Sequence, residues 1–192
     1  MGVLLPNWLA LIWTAVYLCV GVSHLRHMAN SQGERRAWHS CHVLMALGMA
    51  FMYLPASLLP GSFWQLIFAL AGTLAALWAL GNSGSVIWLL TALDLGVMLL
   101  MWSGNESTQP LVWSVVGYLV LETGLWLFDL YRRLDHSQAL INWRMLRVQG
   151  TDVTLGSATG KETRLLADLD ITASMVAMSL GMAYMLVAML MM

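Results

Sequence analysis

Apolar residues occupy six long blocks along this chain, separated by brief polar breaks. A hydrocarbon core about 30 Å thick takes roughly 20 apolar residues of helix to cross. The pattern predicts spans over 4–25, 38–59, 62–81, 85–102, 110–131 and 171–192. The breaks "LPGS" (59–62), "GNSGS" (81–85) and "SGNESTQP" (103–110) carry Gly, Pro and Ser, the residues of tight turns. Short links of this kind join antiparallel neighbours. The expected fold is all-α: one polytopic membrane domain over 1–192, a bundle of six transmembrane helices.

One stretch departs from the pattern. Residues 132–170 form a long polar segment between the fifth and sixth spans. Within it "ALINWRMLRV" (139–148) suits a short helix lying on the membrane surface, with Arg144 and Arg147 toward the headgroups. "TDVTLGSATGK" (151–161) reads as a turn or loose hairpin. "SATGKET" lacks the two-glycine framework of a phosphate loop.

Composition strengthens the membrane reading. Hydrophobic residues make up 59% and charged residues 10% of the chain, where a soluble domain carries about 25% charged. The net charge of -1 leaves no basic face for nucleic acid. The expected partner is the lipid bilayer, with a homo-oligomer or a larger membrane complex left open. The first block has no basic residue before Arg26 and no small-residue cleavage site, so it reads as a retained span.

Charge placement sets the orientation. Arg26, Arg35 and Arg36 follow the first span, and Arg132, Arg133, Arg144, Arg147, Lys161 and Arg164 follow the fifth. These are all nine Lys and Arg residues, and alternation puts both groups on one side. The excess of Lys and Arg in cytoplasmic loops assigns loops 26–37 and 132–170 to the cytoplasm of a bacterial cell. Both termini then face outward across the inner (plasma) membrane. Trp8, Trp38, Trp64, Trp88, Trp102 and Trp113 lie near span ends, as an interfacial belt requires. Cys19 and Cys41 sit in or beside apolar runs and read as buried thiols rather than a disulfide.

Three sets of residues carry candidate chemistry. His24 and His27 close the first span, and His39 and His42 open the second. An antiparallel hairpin brings the two pairs to one membrane side. Four imidazoles there suit copper, zinc, nickel or iron, or one from each helix could hold a haem axially. Interfacial decoration is the plainer alternative, since imidazole is amphipathic. Methionines form the second set. Met45, Met49 and Met52 follow His42 at helical spacing, and Met175, Met178, Met182 and Met185 repeat that spacing in the last span. Thioethers are soft ligands for Cu(I), but they equally fill irregular gaps between helices. The third set is Asp94 and Glu122, each near the middle of an apolar span. An intramembrane carboxyl normally has a partner or a function, and no Lys or Arg lies within any span. No nucleophile–base pair stands out, which leaves an enzymatic role without a candidate site.

"GVSHLRHM" and "ERRAWHSCHVLMALGMAFMYLP", within 21–55, together with "ASMVAMSLGMAYMLVAM" (173–189), resemble an uncharacterised group of small, mostly actinobacterial, multi-pass membrane proteins. The shared elements are the "LRHM" end of the first span, the "LGMAxM" core with a following proline, and a methionine-rich last span. The resemblance implies the six-span layout and supplies no activity. Three functions therefore stay in play: handling of a transition metal, with copper favoured; a haem-binding electron-transfer subunit; and a non-catalytic accessory subunit of a membrane complex.

The charge segregation predicts that a reporter active only in the cytoplasm gives signal when inserted within 26–37 or 132–170. Inserted within 103–110 it should give none, and the reverse result would invert the orientation.

Overall fold

The computed structural model describes residues 7–54, 59–81, 86–103, 109–134 and 159–190. Among them the chain forms six helices and no strand: α1 (Asn7–Ala29), α2 (Glu34–Tyr53), α3 (Gly61–Gly81), α4 (Val86–Ser103), α5 (Gln109–Leu134) and α6 (Thr159–Leu190). Five of these, α1 and α3 to α6, are long and apolar enough to cross a membrane. α2 falls short by composition, because its first third is "ERRAWHS". The stretches 139–148 and 151–158 lie outside the described residues.

Helix ends follow hydrogen bonding rather than hydropathy. α1 continues past Leu25 to Ala29, where the Asn30 backbone N–H (3.3 Å) and side-chain amide (3.1 Å) both donate to the Arg26 carbonyl. Gly33 begins α2 with φ 60°, a left-handed backbone that glycine adopts without steric cost. α2 stops at Tyr53, six residues before the end of the predicted span. Leu54 is extended (φ -73°, ψ 135°), as a residue preceding proline prefers. α6 begins at Thr159, well inside the polar segment, and only its part from Leu169 is apolar enough to span.

Three hairpins make the bundle: α1 on α2, α3 on α4, α5 on α6. Their assembly is uneven. α1 touches α6, α2 touches α4, and α4 touches α6, so α1, α2, α4 and α6 close into an inner ring, with α3 and α5 outside it. The outer surface is apolar, as lipid requires: Leu66, Leu70, Leu74 and Leu77 line the exposed side of α3. On α1 the inward face is Ala10, Trp13, Thr14, Tyr17, Val20, Gly21 and His24.

Small residues let the helices approach. A Cβ on Gly21 would stand 3.5 Å from the Ala46 Cβ, so α1 and α2 pack closely one turn from His24 and His42. Gly48 and Gly181 occupy matching places in α2 and α6 but face different neighbours. A Cβ on Gly48 would strike the Phe68 ring and the Met98 methyl, and one on Gly181 would strike the Tyr17 hydroxyl.

Two expectations need correction. Trp38, Trp64, Trp88 and Trp102 are buried at 3–7% exposure and turn into the bundle, leaving Trp8 and Trp113 outward. Proximity to a span end does not reveal the direction of a side chain, and Trp64 and Trp102 stack on each other (centroids 5.6 Å apart) instead of meeting headgroups. Cys19 is exposed on the outside of α1, while Cys41 is half-buried; both are free thiols.

Gly181→Ala should destabilise the protein by about 1–3 kcal/mol through overpacking, and Tyr17→Phe should recover part of that loss. Gly96→Ala, where nothing lies within 4 Å, should be neutral or gain about 0.5–1 kcal/mol from helix propensity. Thermal unfolding of detergent-solubilised protein separates these outcomes.

Candidate functional site

The histidines sit where the last turns of α1 meet the first turns of α2. Residues three apart share a helix face, so His24 with His27, and His39 with His42, each present a pair to the other helix. The hairpin closes them into a chain of rings. His27 stacks on His39 (centroids 5.4 Å, 16° between planes) and His24 stacks on His42 (5.0 Å, 19°). The link between these stacks is His24 Nδ1, 3.0 Å from His39 Nδ1. Trp38 covers the inner end, its ring centroid 4.0 Å from that of His42.

Exposure falls steeply along this chain. The His27 side chain is 21% exposed, whereas His24, His39 and His42 are at 0–1%. Interfacial decoration does not account for three imidazoles closed off inside a helix interface.

The hydrogen bonds define which ring nitrogens are committed. His42 Nδ1 donates to the Trp38 carbonyl at 2.9 Å. A carbonyl only accepts, so the proton sits on Nδ1 and Nε2 presents a lone pair. That Nε2 is buried with no hydrogen-bond partner, and so is His24 Nε2. His24 and His39 share one Nδ1 contact, which can contain a single proton, since two N–H groups cannot face each other at that distance. Orphaned buried polar atoms of this kind are uncommon and call for an ion, a water or a function.

Asp170 joins the cluster from α6. Its Oδ2 accepts from the Ser23 hydroxyl (2.5 Å) and pairs with His27 Nε2 (3.1 Å). Sequence reasoning passed over Asp170, because it lies 143 positions from His27 at the end of a polar segment. Only the closure of α6 against α1 brings it there. Among the described residues no three His, Cys, Asp or Glu side chains converge as a ready-made coordination group. The His24–His39 nitrogens are the one pair at ligand-bite distance that the hydrogen bonds define: two nitrogens about 2.0–2.1 Å from one ion lie roughly 3 Å apart at a right angle.

The methionine ladders enter one shared core. Met45, Met49, Met178 and Met182 are at most 2% exposed, Met175 and Met185 are buried, and Met52 is half-buried. α4 adds Met98 and Met101, which the spacing of the two ladders did not single out. Met45 lies one turn from His42 and is the ladder residue closest to the imidazoles in sequence.

Asp94 and Glu122 form a separate polar centre at the meeting of α4, α5 and α6. Tyr118 and Glu122 stand one turn apart on α5, so the Tyr118 hydroxyl that reaches Asp94 brings the two carboxyls to one α4–α5 contact. Tyr118 donates to Asp94 Oδ1 (3.0 Å), Ser179 to Glu122 Oε2 (3.2 Å) and Trp126 Nε1 to Glu122 Oε1 (3.3 Å).

Comparison with family models, with curated proteins and with solved structures finds no match for this chain.

Because an amide oxygen accepts the Tyr118 hydroxyl as a carboxyl oxygen does, Asp94→Asn should change stability by less than about 1 kcal/mol. Asp94→Ala orphans the Tyr118 hydroxyl and should cost about 1–3 kcal/mol. Thermal unfolding in detergent distinguishes the two, and a large loss in the Asn variant would show that a negative charge is needed there.

Proposed function

We propose that this protein binds a transition-metal ion, with copper the best match, at the α1–α2 histidine cluster. The observation that carries this reading is the pair of bare, buried Nε2 atoms on His24 and His42 beside the 3.0 Å His24–His39 contact. Metal-ligating histidines characteristically give one ring nitrogen to a carbonyl or carboxylate and the other to the ion. His42 has that arrangement through the Trp38 carbonyl. Imidazole suits copper, zinc, nickel and iron alike, and the neighbouring thioethers of Met45 and Met49 tilt the choice toward copper. The remaining methionines are the packing wall around that end of the core.

Haem is served less well by this geometry. Axial imidazoles point edge-on at an iron between them, whereas His24 and His42 stack nearly face to face. The Gly21–Ala46 approach also leaves the two helices in contact where a macrocycle would lie. The accessory-subunit reading explains the methionines but not the orphaned imidazole nitrogens.

The site belongs to the basic end of the bundle, where α1 ends and α2 begins with Arg26, Arg35 and Arg36. With the positive side inward, the cluster faces the cytoplasm of a bacterial plasma membrane.

Protein purified from copper-supplemented cells should contain copper stoichiometric with the chain by elemental analysis, with a visible spectrum lacking a Soret band. His42→Ala should lose most of the metal, and Met45→Leu with Met49→Leu should weaken retention of Cu(I) while leaving Cu(II) bound. Colourless, metal-free wild-type protein would overturn the proposal.

A further inference from the structure

The three inner histidines are closed off, so an ion needs a route to them. Four observations place that route at α6. Asp170 is the outermost member of the histidine chain, its side chain 51% exposed against 21% for His27. Both of its hydrogen bonds, from Ser23 and with His27, fall on the same oxygen, which fixes the carboxylate against α1. His27 stacks directly on His39, and His39 meets His24 through the Nδ1 contact. Finally, the surroundings are basic: Arg26 and Arg36 are exposed on the flanking turns, and Arg35 acts electrostatically on His39.

A hydrated cation approaching such a surface is repelled unless a carboxylate marks the entrance. Asp170 supplies that charge. A carboxylate oxygen beside an imidazole nitrogen is also a donor pair for a divalent first-row cation rather than for Cu(I), which prefers softer ligands. We propose that Asp170, held by Ser23 and paired with His27, is the loading station through which a divalent transition-metal cation enters the buried His39–His24–His42 cluster. The inference rests on the metal-binding reading above. It adds that α6 controls access to a site otherwise built by α1 and α2.

The cation first meets the Asp170 carboxylate and the His27 ring, with part of its hydration shell retained. It then passes inward to ligands of which His24 and His42 have unpartnered nitrogens. Asp170 is thus a residue for rate, whereas His39 and His42 are residues for retention. A purely structural tie between α6 and α1 predicts no such division.

The test uses full-length protein in neutral-lipid nanodiscs, mixed rapidly with Cu2+ and followed by tryptophan quenching. Trp38, packed at a tilt against His42, is the internal reporter, identified by the component that Trp38→Phe removes. Asp170→Asn retains oxygen and nitrogen for Ser23 and His27 but not the charge. It should slow loading about tenfold at low ionic strength, with final stoichiometry unchanged, as expected when electrostatic steering is lost. The difference should shrink in high salt, and Asp170→Glu should restore the rate. Loading of Asp170→Asn at the wild-type rate, while His42→Ala fails to retain copper, overturns the loading station and leaves the inner site standing. No uptake by the wild type overturns both. If Asn disturbs the fold, Ser23→Ala, which removes one of the two ties of the carboxylate to α1 but keeps its charge, should load at close to the wild-type rate; a loss as large as for Asp170→Asn would mean that α6 docking, not charge, sets the rate.

Discussion

The close approach of α1 to α2 is the contact on which the histidine cluster depends. Gly21 and Ala46 carry so little side chain that a Cβ on Gly21 would already touch the Ala46 methyl, at 3.5 Å. In lipid this contact replaces the hydrophobic drive that assembles helices in water. It is made one turn from His24 and one turn from His42, so the histidines have nowhere to go but toward each other. Larger residues at these two positions would separate the helices and open the 3.0 Å Nδ1 contact that organises the cluster.

The same absence of water governs the rest of the interior. Every polar group buried among these helices must find its partner within the protein, because hydrocarbon offers none. Thr14, Thr91 and Thr123 return their hydroxyls to the carbonyl four residues earlier. Asp94 accepts from Tyr118, and Glu122 from Ser179 and Trp126. The unpartnered groups are the exception: the Tyr17 and Tyr53 hydroxyls, the Trp64 and Trp102 indole N–H groups, and the Nε2 atoms of His24 and His42, of which only the imidazole nitrogens are metal-ligating lone pairs. The two polar centres are thus different in kind: each acid has its donors, and the histidine chain is left with bare acceptors.

Some features were readable from the residues because they depend on local spacing. The four histidines fall at i, i+3 on two helices joined by a four-residue turn, and a hairpin of that length has one way to close. The methionine ladders were readable as buried stripes for the same reason. What they face was not: Gly48 and Gly181 sit in near-identical sequence, yet one packs on Phe68 and Met98 and the other on Tyr17. The tryptophans were misread because a belt residue and an inward residue occupy the same position along a helix and differ only in rotation about its axis. α1 is apolar on all sides, so no hydrophobic stripe marks its buried face.

By itself the sequence determined an all-α chain of membrane-crossing length and the meeting of two histidine pairs. These follow from hydropathy over about 20 residues and from the geometry of a short hairpin. The tertiary structure alone decided that α1, α2, α4 and α6 form the inner ring, that Asp94 and Glu122 come to one α4–α5 contact, and that Asp170 reaches His27. The reason is distance along the chain. Each of these contacts joins helices that are not consecutive or residues far apart in sequence, and nothing in the local pattern of either partner specifies the other.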